Sequence, residues 1–225
     1  MRDISKDILF EDNHLIIINK KPSDIVQGDK TGDIPMPELL KNFLKEKYQK
    51  PGNVFVGVIH RLDRPVSGAV IFAKTSKALT RMNKLIQDGG LTKKYWAIVE
   101  NMPISKTGTL INFLKKNEKQ NKSYVVQESV KGSKRAELNY KFLAASQKYY
   151  LIEVELITGR HHQIRAQLSS IGCIIKGDLK YGAKRTNADA SICLHSREIK
   201  FIHPIKNELV HILAPPPDNN IWNIF

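Results

Sequence analysis

The chain has 225 residues, 41% of them apolar, which is enough to bury a core and excludes a globally disordered protein. Lys and Arg total 36 against 22 Asp and Glu, a formal charge of +14 that points to a polyanionic partner, nucleic acid ahead of an anionic membrane surface. Two distant cysteines, Cys173 and Cys193, give neither a disulfide framework nor a zinc site, no apolar run reaches the roughly 20 residues of a membrane span, and no GxGxxG or P-loop is present. The expectation is a soluble, reduced, cytoplasmic protein.

In chain order, residues 8–20 read as two short strands around an Asp-Asn turn. Residues 36–47 carry Leu39, Leu40, Phe43 and Leu44 at helical spacing, with Pro37 suited to a first turn. Residues 54–59 are apolar and β-branched, predicting a strand, and 68–74 predict the next one. Ser76 is the expected cap of a helix whose apolar face is Leu79, Met82, Leu85 and Ile86, with Gly89-Gly90 as its stop. Residues 94–100 predict a strand. From 104 to 139 the pattern weakens, and the basic stretch 115–122 reads as the exposed tip of a hairpin.

Strand patterns resume at 140–145 and 149–157. Residues 161–171 switch to helical period through Ile164, Leu168 and Ile171, with Gly172 at the end. Residues 192–202 and 208–213 predict two last strands before Pro215-Pro-Pro217. Without a repeat or a dividing linker, the pattern is one α+β (mixed α/β) domain over residues 1–225 with a mainly antiparallel sheet.

Three constellations carry candidate chemistry. The first is Asp63, set among His60, Arg61 and Arg64 and followed by Pro65 and Ser67-Gly68. Arginines lower a carboxylate's pKa, which suits a nucleophile or base and equally a structural ion pair. A junction rich in Pro and Gly, however, is where scaffolds present reactive side chains. The second is Thr158-Gly-Arg-His-His-Gln-Ile-Arg165, where Arg160, His161 and His162 open the predicted helix and Arg165 follows a turn later. It reads as an anion site or as a solvated face. Adjacent histidines diverge on a helix, which makes His161-His162 a poor zinc site. The third is Lys93-Lys-Tyr-Trp-Ala-Ile98, in which Tyr95 and Trp96 point to opposite faces of a strand. An aromatic beside lysines is a base-stacking platform or an edge-of-core residue.

Taken together and in order, these segments resemble one family. His60-Arg-Leu-Asp63 with Ser67-Gly68 resembles the HRLDxxTSG motif of RluA-type RNA pseudouridine synthases. Lys94-Tyr95-Trp-Ala97 resembles their KxYxA motif. Gly159-Arg-His-His-Gln-Ile-Arg165, with Gly172 and Gly177-Asp178-Leu-Lys-Tyr181-Gly182, resembles their GRxHQxR…G…GDxxYG motif. Asn19-Lys-Lys-Pro22 and Phe201-Ile-His-Pro204 resemble flanking parts of the same pattern, so the likeness runs nearly end to end.

The resemblance implies a pseudouridine synthase fold, with a long, mostly antiparallel sheet, flanking helices and a central RNA-binding cleft. It implies isomerisation of specific uridines in structured rRNA or tRNA, by base flipping and an essential aspartate. Asp63 is then the catalytic aspartate, Tyr95 stacks on the flipped uracil, and Arg165 pairs with Asp63. Arg61 enters the RNA stack, and His60, Arg160 and His162 are further RNA contacts. Whether Asp63 adds to the sugar, adds to the ring or removes a sugar proton stays open. No cofactor and no metal are implied, the partner is RNA rather than a membrane, and a monomer suffices.

Val66 stands where the family has Thr, Ala166-Gln167 replaces Val-His, and Ser23-Asp24 replaces a small-Gly step. The chain starts directly at the catalytic hairpin, leaving no room for the S4-like domain that many members carry. The alternative reading is a non-catalytic RNA-binding or ribosome-assembly factor on the same fold. An RNA-cleaving enzyme built on Asp63 and His161 lacks a metal cluster or a positioned base.

Overall fold

The computed structural model describes residues 3–28 and 31–225. Its backbone gathers into two compact units, residues 1–92 with 196–216, and residues 93–195 with 217–225. The predicted α+β class holds: the described residues form eleven strands and three α-helices, with runs of two to five strands between the helices.

In the first unit, β1 (Ile8–Glu11) and β2 (Leu15–Lys20) form the hairpin expected around Asp12-Asn13. The Asp12 carboxylate accepts the backbone N–H of His14 and of Leu15, both at 2.7 Å, which closes the turn. β2 then pairs antiparallel with β4 (Ser67–Ala73), from Leu15 opposite Ala73 to Lys20 opposite Gly68. Every residue of β4 is buried, as its unbroken apolar run demands. On one face Leu15, Ile17, Ala69, Ile71 and Ala73 meet Ala78 and Met82 of helix α2 (Ser76–Gln87).

Helix α1 (Met36–Lys47) has the predicted bounds, with Pro37 in its first turn and Met36, Leu40 and Leu44 turned inward. The cap of α2 differs from expectation by one residue: Thr75 is extended, and its hydroxyl accepts the Ala78 N–H at 3.1 Å, so Ser76 is the first helical residue.

The predicted strand over 54–59 shrinks to β3 (Gly57–Val58), opposite Ala73 and Phe72. A strand has two edges. β2 fills one edge of β4, and β10 (Leu194–Ile202) shares the other with β3, so propensity at 54–56 finds no free partner. β11 (Leu209–Leu213) pairs antiparallel with β10.

Glu11, at the end of β1, collects Lys47 and Lys74, each at 2.7 Å, and the Tyr48 hydroxyl at 2.7 Å. Burial works against its ionisation, but these donors outweigh it and hold the carboxyl at about 2, against an ordinary 4.5. A depressed carboxylate contributes stability that is present above its unfolded pKa and is lost as pH falls through the folded one. Glu11→Gln is therefore expected to lower the thermal midpoint at neutral pH. The gap to the parent should narrow as pH falls from about 4.5 towards about 2, as calorimetry across that range would record; a gap independent of pH would contradict the assignment.

In the second unit β5 (Thr92–Val99), β9 (Tyr150–Leu156), β8 (Lys134–Ala145), β6 (Thr107–Asn117) and β7 (Lys122–Val126) lie side by side in that order, all antiparallel. The weak pattern between 104 and 139 is real strand: β6 and the start of β8 form a half-exposed ribbon that alternates without a fully apolar face. The basic stretch is the tip of the β6–β7 hairpin, as expected. Helix α3 (Gln163–Ser170) sets Ala166 against Leu114, Ala136 and Tyr181. It begins two residues later than predicted because His162 is left-handed, at φ 52°, and cannot be a helical residue.

Candidate active site

The Asp63 loop belongs to the first unit and joins β3 to β4. Buried Ile59, Leu62 and Val66 anchor it. Its turn closes with the Val66 N–H donating to the Asp63 carbonyl at 3.0 Å. His60 Nε2 accepts the Ile71 N–H of β4 at 3.2 Å. The Arg64 carbonyl accepts from the Ser23 N–H at 3.0 Å and from Lys20 Nζ at 3.1 Å.

Lys20 is only 1% exposed, and its ammonium also donates to the carbonyls of Lys21 and Asp24, both at 2.9 Å. A buried cation spent on three carbonyls ties the 21–24 turn to the backbone beside Asp63. Arg61 is exposed and donates to Gln27 Oε1 at 2.6 Å. Arg64, without an expected role, pairs with Asp33 at 2.7 Å and Thr31 at 2.6 Å near the surface.

Gly68 explains the Ser-Gly pair. Its φ is 111°, and a Cβ there would come within 2.4 Å of the Ser196 carbonyl oxygen and 2.5 Å of the Ser196 nitrogen. Both obstacles are backbone. Gly68→Ala is expected to destabilise the protein by about 3 kcal/mol or more, combining a forbidden conformation with overpacking. Urea denaturation checks this, and a variant as stable as the parent would refute it.

The second constellation lies in the second unit. Arg165, 5% exposed, is held from two sides by Asp178, 1% exposed: Nε donates to Oδ2 at 2.7 Å and Nη2 to Oδ1 at 2.8 Å. This bidentate pairing fixes the plane of the guanidinium. Nη1 lies 3.0 Å from His162 Nε2. Arginine can only donate, so Nε2 accepts and the imidazole carries its proton on Nδ1. That N–H points at the Tyr181 hydroxyl, 3.0 Å away. The hydroxyl in turn accepts the Ser123 N–H at 2.9 Å and donates to the Ser123 carbonyl at 3.0 Å. The Tyr181 ring also lies under the guanidinium, 5.0 Å from its carbon.

His162 reaches this place because of its left-handed backbone, with His161 stacked on it at 3.8 Å. Buried Gln163 supports the bend, accepting from the Thr158 hydroxyl at 2.8 Å and the Arg160 N–H at 2.9 Å. Gln167, at one of the unusual positions, is fully buried and donates to the Leu110 carbonyl at 3.0 Å and Asn112 Oδ1 at 2.8 Å. Its amide staples α3 to β6. Arg160 is exposed and donates through Nε to the Arg135 carbonyl at 2.9 Å. Tyr95, on β5 opposite Val154, is buried, and Trp96 faces the other way, as predicted.

Of the residues singled out in the sequence, His60, Arg61 and Asp63 therefore share one unit, and Tyr95, Arg160, His162 and Arg165 share the other. Arg165 and His162 come together through Asp178 and Tyr181. Neither had a role assigned from sequence, although both lie in the quoted GDLKYG segment. Lys20 was likewise visible only as part of Asn19-Lys-Lys-Pro22. Both cysteines are buried, and burial raises their thiol pKa values, that of Cys193 to about 11. Among the described residues no group of three or more His, Cys, Asp or Glu stands ready for a metal, and no helix is long and apolar enough to cross a membrane.

The family model described as RNA pseudouridylate synthase matches residues 14–170. The Bacillus subtilis protein named "Uncharacterized RNA pseudouridine synthase YhcT" is 35% identical over 217 residues, covering 94% of this chain and 68% of that protein. The Zymomonas mobilis "Ribosomal large subunit pseudouridine synthase D" is 31% identical over 229 residues, covering 97% of this chain and 71% of the relative. Among solved structures, "Human RNA Pseudouridylate Synthase Domain Containing 4" superposes with a TM-score of 0.80 at 22% identity, over 98% of this chain and 92% of that one, a likeness of fold.

Proposed function

We propose, from the premise that the chain belongs to the RNA pseudouridylate synthase family, that Asp63 is the catalytic carboxylate with which it isomerises uridine in folded ribosomal or transfer RNA. In the family's reaction the N1–C1′ bond of uridine breaks and a C5–C1′ bond forms. The C5 proton leaves to solvent and N1 gains one, so no oxidant or group donor is consumed.

The observation that carries the reading is the presentation of Asp63. A loop anchored by Ile59, Leu62 and Val66, with its backbone tied down by Lys20, holds one carboxylate on an otherwise rigid scaffold. Arg165 is proposed as its charge partner. With Nε and Nη2 fixed by Asp178, the guanidinium is oriented before substrate arrives. Tyr95 is proposed as the platform for the extruded uracil. Exposed Arg61 and Arg160 are the proposed outward contacts to RNA, backed by His60 and His162, whose rings are engaged within their own units.

The basic composition supports a polyanionic substrate, and RNA binding should weaken steeply with salt as phosphate contacts release counterions. The name of the Zymomonas relative favours ribosomal RNA. The test is to map pseudouridines in total RNA from a strain lacking this protein and from its parent. The expected result is at least one site lost from rRNA or tRNA; identical maps would refute the substrate reading.

A further inference from the structure

Lys93 is the second residue of β5, two before Tyr95, and strand alternation puts both on one face. Lys93 is half-buried, and among the described residues its ammonium makes no hydrogen bond and no ion pair. Burial alone lowers its pKa below the ordinary lysine value. Other lysines in the protein are treated differently. Lys20 has three carbonyls, Lys74 has Glu11 at 2.7 Å, and Lys94, on the opposite face of β5, lies 3.6 Å from Glu153.

A desolvated cation without a counter-charge costs free energy, so it persists where a ligand supplies the charge. Its Nζ lies beside Gly159, at ordinary contact distance, 3.5 Å, from where a Cβ on that residue would sit. Gly159 in turn begins the Gly-Arg-His-His turn that leads into α3.

We infer that Lys93 is an RNA phosphate-binding residue, holding the backbone phosphate of the nucleotide whose base lies on Tyr95. The inference rests on the proposed placement of uracil on Tyr95. Two strand residues span about 6.6 Å, comparable to the reach of one nucleotide from its base across the sugar to its phosphate. An ammonium is a compact point charge without the fork that reads base edges, which suits a single phosphate oxygen.

The test uses the full chain and unmodified rRNA and tRNA transcripts, with binding measured from about 50 to about 200 mM salt. Lys93→Met keeps the stem and removes the charge. It is expected to weaken binding about tenfold and to reduce the log–log salt slope by about one. Its thermal midpoint should stay at or above the parent's, since a desolvated charge has been removed. Lys93→Arg should recover most of the affinity and the slope.

Parent-like affinity in Lys93→Met would overturn the inference. So would weaker binding with an unchanged slope, the mark of a neutral contact such as a uracil carbonyl. A lowered midpoint in both variants would show a structural role instead. The readout is binding, so it separates from the catalytic reading: a parent protein that isomerises nothing yet loses slope on Lys93→Met refutes only the proposed reaction.

Discussion

Asp63→Asn is expected to reduce turnover by at least about 10³-fold while leaving RNA affinity nearly unchanged. The amide is nearly isosteric and keeps one acceptor, so the loop closed by Val66 and pinned through Lys20 should persist. What is lost is the negative charge that the proposed catalytic role of Asp63 requires. Single-turnover kinetics on RNA transcripts, with filter binding beside them, separate the two effects. A variant that turned over normally would remove Asp63 from the mechanism. Normal turnover together with lost binding would instead place Asp63 among the RNA contacts.

Asp178→Ala is expected to cost about 3–5 kcal/mol of stability, because it strips a guanidinium that is 5% exposed of its bidentate partner. Asp178→Asn, which retains one carbonyl acceptor, should cost less. In both variants turnover should fall more than binding, since Arg165 loses its fixed orientation while the exposed arginines are untouched. Thermal denaturation and single-turnover rates measure the two consequences. If Asp178→Ala were as stable and as active as the parent, the pair would be neither a structural nor a positioning element.

Much of this was legible in the sequence, and the parts that were not share a cause. Helix α1 was readable from Leu40, Leu44 and Pro37, because its apolar stripe and its start signal agree. Strands β2 and β4 are each readable from an apolar run, whereas their pairing with each other is not. Asp63 stands out because Pro65 and Gly68 follow it closely, but the reason for Gly68 lies elsewhere. The glycine is demanded by the Ser196 backbone, more than a hundred residues away in sequence, which no local pattern encodes. The strand at 54–56 failed for the same reason, since an edge was already taken.

The Arg165 site was half visible. Its residues fall in one segment whose spacing predicts a helix start, whereas the left-handed His162 turns the chain so that imidazole, guanidinium and phenol form one hydrogen-bonded set. Nothing in periodicity links Arg165 to Asp178, thirteen residues on and past the Gly177 turn. Lys93 stands in the third constellation without a role of its own. In sequence it is one of two adjacent lysines, and only folding separates Lys94, beside Glu153, from Lys93, which has no charge partner among the described residues.

The most direct test of the central claim is release of tritium from RNA transcripts labelled at C5 of uridine. Bond formation between C5 and C1′ must expel that hydrogen, whatever route Asp63 takes. The expected result is release from rRNA or tRNA by the parent protein, saturating at a small whole number per molecule, and none above background by Asp63→Asn. No release by the parent from either RNA, under conditions in which a characterised RNA pseudouridine synthase is active, would contradict the account.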